Sequence, residues 1–290
     1  MALFDRKNDN TNQGAEMGFF DHIDVLRGHL FRSVLAITIC SVVLLIYSRW
    51  IFDNVIFGPV KGDFITYRAL CHFSNMIRPL LCKVSPLLCP DKGLCMDGLS
   101  IKFLNTELFG QFITQIQISF ILGFVIAFPY VLWEIWRFVK PALSESEAKK
   151  SGRIIVFSSA FFFLGVAFAY FMIVPFSLNF AASYYISGQI NNFFTLDNYI
   201  GFVTMMMLGC GIVFELPMII YFLARFGIVT AKFMRQYRRH AVVVILVLAM
   251  VITPSPDVFT MTLVSIPIYF LYELSILVAA RVNPTMKTLI

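Results

Sequence analysis

Charge is scarce in this chain. Lys, Arg, Asp and Glu make up 14% of its 290 residues, against about 25% in a soluble domain. So few charges cannot cover a water-facing surface, and 59% apolar residues with 32 phenylalanines argue the same way. Mean hydropathy is +0.79. Catalytic motifs are missing too. There is no Walker loop, no H-E-x-x-H pair and no G-x-S-x-G elbow. Gly209-Cys210-Gly211 lacks the third glycine of a dinucleotide fingerprint and falls inside an apolar run. His22, His29, His72 and His240 are scattered, with no partners recognisable at metal or catalytic spacing. The chain therefore reads as non-enzymatic, with no cofactor and no bound metal. A secretory leader is not evident, because Met1 to Gly28 is polar and holds Asp5, Asp9, Glu16, Asp21 and Asp24. The first apolar run is expected to be retained. No internal repeat is visible.

What remains is a series of long apolar runs between charges. They cover Ser33 to Tyr47, Leu108 to Trp133, Ile154 to Pro175, Tyr199 to Ala224, Ala241 to Thr253 and Val258 to Ala280. Runs of about 20 apolar residues are long enough to cross a bilayer as helices. They lack the alternation of barrel strands, and in lipid only closed hydrogen-bonding patterns survive. The fold class is an all-α polytopic membrane protein with six transmembrane helices. Spans five and six are expected to be short, forming a tight hairpin about Pro254-Ser255-Pro256 that stops short of a full-thickness bilayer. Pro129, Pro175, Pro217 and Pro267 fall within or near spans and invite bends.

Net charge is +6. The basic residues sit in short segments beside apolar runs, so they specify topology rather than nucleic-acid binding. Arg27 and Arg32, Arg137 to Arg153, Arg225 to Arg239, and Arg281 with Lys287 should share the cytoplasmic side. The segment Ala182 to Asn198 has no Lys or Arg and should lie opposite. Both termini are then cytoplasmic. Residues 1–18 read as a polar tail, 19–281 as the transmembrane domain with an outer loop over about 49–107, and 282–290 as a short tail. Cys71, Cys82, Cys89 and Cys95 fall in the outer loop, where an oxidising compartment favours disulfides of undetermined connectivity. A zinc site is the alternative, although the spacing is not C-x-x-C. Cys40 and Cys210 lie in spans and read as packing residues.

Four constellations could carry function. The lead-in Phe20 to Leu30 places Ile23, Leu26 and Leu30 at helical spacing with Asp24 and Arg27 on the polar side, as an interfacial helix or a solvated face. The segment Trp133 to Arg153 carries Phe138, Pro141 and Ser144-Glu145-Ser146-Glu147, where Glu147 completes a capping box or presents a carboxylate to a guanidinium. Glu215, in Val213-Phe214-Glu215-Leu216-Pro217, is an ionisable residue inside a span, either a structural polar contact or a functional group. Gln111 and Gln115 share one helix face and are its expected partners. The last is Thr253 to Phe259, where Asp257 is placed to cap span six, followed farther along by Glu273.

In this order the motifs resemble the TatC family over about Phe20 to Ala280. The lead-in is similar to the family's amino-terminal pattern, and Phe57-Gly58-Pro59 to its proline after span one. Leu132 to Leu143 with Glu147 resembles its first cytoplasmic loop. Phe214-Glu215-Leu216-Pro217, Ile266-Pro267 and Tyr272-Glu273-Leu274 match later motifs. The resemblance implies a concave six-helix bundle in the bacterial inner membrane. It implies recognition of twin-arginine signal peptides of folded proteins, and assembly with small single-span Tat subunits of the TatA and TatB type. It also implies an oligomeric complex in membrane lipid, driven by the proton-motive force. By carry-over, Glu147 binds the arginine pair, helped by Asp24, Phe138, Pro141 and Arg27, while Glu215 contacts partners or the signal helix. Pro59, Asp257 and Glu273 take structural parts. The chain departs from the family where Val25 stands at the second acidic position, where Ala148 follows the loop glutamate, and in the length of its outer loop. A proton-coupled transporter of a small solute is the competing reading, and it would predict inverted repeats.

Overall fold

The computed structural model describes residues 19–84, 103–140, 151–184, 193–253 and 257–282. Glu147, Pro141, the Pro254 turn, Cys89, Cys95 and both tails lie outside the described residues. Cys82 lies within a described helix, but its side chain does not belong to the described set. Among the described residues five helical segments are long and apolar enough to cross a membrane: Ile23–Ile46, Gly110–Val139, Ile154–Ser183, Leu196–Arg225 and Val258–Val282.

The first span and its lead-in are one uninterrupted helix, α1 (Phe19–Ile46). It packs along α4 (Gly110–Val139). Between them lie the short α2 (Ser48–Ile51) and α3 (Ile65–Val84), the latter outside the apolar spans. A methyl at Gly123 of α4 would stand 2.8 Å from the Ser41 backbone nitrogen, so only glycine permits this approach of α1. Small residues commonly set such close helix contacts in membranes.

Span three reaches farther than Pro175. It runs through α5 (Ser151–Phe168), a π-turn (Ala169–Ile173) and α6 (Val174–Ser183). Pro175 has no N–H to offer the carbonyl of Phe171. The Thr66 hydroxyl of α3 donates to that carbonyl instead, so the helix widens rather than ends. The same end of the bundle is tied by tyrosines. Tyr67 donates to the Pro59 carbonyl at 2.9 Å, Tyr170 to Val55 at 2.5 Å and Tyr199 to Ile56 at 2.5 Å. Burial pushes the Tyr67 phenol up to about 12, so it keeps the proton it donates. Pro59 is buried in a 3-10 turn, Gly58–Val60. The paired β1 (Phe103–Leu104) and β2 (Phe194–Thr195) close this end in parallel register.

Span four is two helices, α7 (Leu196–Val213) and α8 (Leu216–Arg225). After α9 (Ala231–Gln236), span five is α10 (Arg238–Ile252), and span six is α11 (Val258–Val282). Fifteen residues make α10 about 22 Å long, below the roughly 30 Å hydrocarbon core. The expectation of a short sixth span is corrected: α11 has 25 residues, enough to cross a bilayer, with Pro267 inside it. The core lies among α4, α5, α7 and α11, where Ile118, Phe162, Val203, Met206 and Ile268 are buried. Gly165 of α5 admits the helix break, since a methyl there would come within 2.8 Å of Phe214.

Candidate functional site

The break in span four is built by Pro217. Its ring nitrogen cannot bond the carbonyl one turn back, and α7 stops at Val213. The Glu215 N–H turns tightly to the Ile212 carbonyl at 3.1 Å, and the Glu215 carbonyl then accepts from Met218 and Ile219 at 2.9 Å each. Glu215 thereby becomes the first cap of α8, held at a fixed depth in the bundle. Its side chain is 8% exposed. One carboxyl oxygen accepts the Ser158 hydroxyl of α5. The other, Oε1, is buried with no hydrogen-bond partner among the described residues. A buried polar atom left unpaired costs about 1–3 kcal/mol, so this position is one where the fold tolerates a cost. An apolar cleft of about 380 Å3 runs alongside, lined by Ile154, Phe157, Phe161, Pro217, Met218, Tyr221, Leu274 and Val278.

Gln111 and Gln115 do not join Glu215. Gln115 donates from Nε2 to the Ser48 hydroxyl at 2.7 Å, and Gln111 lines a separate cavity with Arg49 and Asp53. The expected polar trio is therefore divided between two regions. The reason is register: both glutamines lie in the first turns of α4, whereas Glu215 lies most of the way along span four.

The opposite end of α4 holds a second buried carboxylate, which sequence reasoning missed. Glu134 is 1% exposed. Its Oε2 is 2.5 Å from Nδ1 of His29 on α1, its Oε1 accepts the Tyr130 hydroxyl at 3.0 Å, and Arg137 approaches at 3.7 Å. Arg137 also lies over the Trp133 ring at 4.9 Å. The His29 ring meets Phe138 edge-on at 6.3 Å. This cluster fixes the lead-in of α1 to the end of α4. Asp24 and Arg27 are exposed on that lead-in, and Phe138 is half-buried beside it. The available signal was an ionisable residue closing an apolar run and a histidine beside Leu30, 105 positions apart.

The remaining residues take separate places. Asp257 accepts the Thr260 N–H at 2.6 Å at the start of α11. Glu273 pairs with Arg238 of α10 at 2.7 Å and accepts the Tyr269 hydroxyl at 3.2 Å. Cys71 is disulfide-bonded, while Cys40 and Cys210 are free. Among the described residues no group of three or more His, Cys, Asp or Glu is placed to hold a metal.

Comparison with known proteins gives one answer. The family model described as Sec-independent protein translocase protein (TatC) matches residues 21–267. The TatC protein of Blattabacterium sp. subsp. Periplaneta americana is 37% identical over 94% of this chain and 98% of its own. That of Carboxydothermus hydrogenoformans is 30% identical over 92% and 95%. A crystal structure described as twin arginine translocase receptor TatC superposes with a TM-score of 0.68 at 26% identity, covering 90% of this chain and 99% of that one. Nothing in these matches favours the solute-transporter reading. This multi-pass membrane chain belongs to the TatC family of Sec-independent protein translocase proteins.

Proposed function

We propose that this chain is the receptor subunit of a twin-arginine translocase, and that it binds the arginine pair of export signals through Glu147. The observation that carries the reading is the match over nine-tenths of the chain to a structure described as a twin-arginine translocase receptor. A carboxylate accepts a guanidinium in a two-pronged hydrogen bond, and Glu147 follows in sequence the end of α4, where Phe138 meets His29 of the α1 lead-in that carries Asp24 and Arg27. Phe138 and Pro141 take part in shaping that recognition surface. Glu215 serves the other task, meeting a polar group of the signal helix or of a small single-span Tat subunit of the TatA or TatB type inside the membrane. Its unpaired oxygen beside an apolar cleft supports that assignment. The membrane is the bacterial inner membrane, with both termini in the cytoplasm, as the placement of Lys and Arg argues. The working unit is an oligomer that draws on the proton-motive force.

A photoreactive residue at position 147, offered a twin-arginine peptide and a twin-lysine control in membranes, tests the receptor reading. Selective capture of the arginine peptide is expected. Equal capture, or none by a folded and inserted protein, would contradict it.

A further inference from the structure

The end of the bundle remote from Glu134 carries a cavity of about 650 Å3 that the translocase reading does not use. Its floor is the Gln115–Ser48 hydrogen bond, 2.7 Å long. Its walls include Arg49, Asp53 and Gln111. Arg49 and Asp53 stand one helical turn apart, yet no ion pair joins them, and neither their charged groups nor the Gln111 amide has a partner among the described residues. The Lys61 ammonium also lies at this end, donating to the Asp53 backbone carbonyl at 2.5 Å, but Lys61 does not line the cavity and makes no ion pair with the Asp53 carboxylate. Within the cavity lining, one guanidinium and one carboxylate, neither with an ion-pair partner among the described residues, match a ligand that is itself dipolar.

We infer that this cavity binds the headgroup of a phosphoethanolamine lipid, with the phosphate on the Arg49 guanidinium and the primary ammonium on the Asp53 carboxylate. Guanidinium suits phosphate because its planar donors meet two oxygens at once. Asp53 disfavours a purely anionic headgroup by like-charge repulsion. It also favours ethanolamine over choline, because a quaternary ammonium has no N–H to donate. The lipid source follows from the surroundings. Phe112 lines the cavity and is 61% exposed, and Trp50 and Tyr47 are exposed by 63% each. Trp and Tyr concentrate where a bilayer's headgroups begin. The chains of the lipid would run down the apolar flanks of α1 and α4.

The full chain in nanodiscs of equimolar phosphatidylethanolamine, phosphatidylglycerol and phosphatidylcholine would be released into native mass spectrometry and its retained lipids counted. Phosphatidylethanolamine should be retained about tenfold over the other two, the scale of one charge-assisted hydrogen bond. R49Q should lose the retained lipid, and D53N should lose the preference over phosphatidylglycerol. Soluble phosphoethanolamine should not displace the lipid. Retention without headgroup preference, wild-type retention by both variants, or displacement by the soluble headgroup would each overturn the inference. Melting temperature checks folding, and Q111L, which removes no charge, supplies a second reading by weakening retention if either charge variant fails to fold.

Discussion

Two carboxylates are buried at different depths of the same bundle, and they are treated differently. Glu134 meets a histidine, a phenol and a guanidinium, and both its oxygens are engaged. Glu215 meets one serine and leaves an oxygen unpaired among the described residues. Burial alone therefore does not mark function. A fully engaged carboxylate welds α1 to the end of α4. A half-engaged one leaves bonding capacity beside an apolar cleft, as the proposed contact with an incoming helix requires. An intramembrane ionisable residue is a functional hypothesis by default, and the hydrogen-bond inventory separates these two.

The largest effect should come from breaking the weld. Glu134→Ala strands His29, Tyr130 and Arg137 together and should cost about 3 kcal/mol, read as a lowered melting temperature in detergent. It should also weaken capture of a signal peptide at position 147, because the lead-in loses its anchor. Ser158→Ala comes next. It leaves Glu215 with neither oxygen paired and should cost about 1 kcal/mol, measurable in the same melting series. Glu273→Gln supplies a surface reference. Its Arg238 partner is about half exposed, so a loss of about 0.5 kcal/mol is expected, and a double-mutant cycle with Arg238→Gln would isolate it. A loss at Glu273 equal to that at Glu134 would erase the distinction between weld and surface pair.

The sequence made some of this legible. Long gaps between charges marked the spans, since lipid penalises each charge, and the order of motifs pointed to the family that the comparisons show. Lateral placement was harder to read. Gln111 and Gln115 do share a face, but periodicity along one helix does not say which depth of a neighbour lies opposite, and Glu215 sits elsewhere. The His29–Glu134 contact joins residues 105 positions apart, and no local pattern announces it. Pro175 resembled a helix end because its missing donor is visible in the sequence. The Thr66 hydroxyl that makes good the loss comes from a different helix. Proline's consequences depend on who stands beside the freed carbonyl.

The contrast between the two carboxylates is tested most directly by Glu134→Gln and Glu215→Gln, each compared with the unmodified protein for melting temperature and for copurification of small single-span Tat subunits. Glu215→Gln should melt within about 0.5 kcal/mol of the parent while losing its partners, and Glu134→Gln should melt lower while any protein that stays folded keeps them. If Glu215→Gln lowers the melting temperature as much as Glu134→Gln and leaves partner capture intact, Glu215 is a structural contact and the division of labour drawn here is wrong.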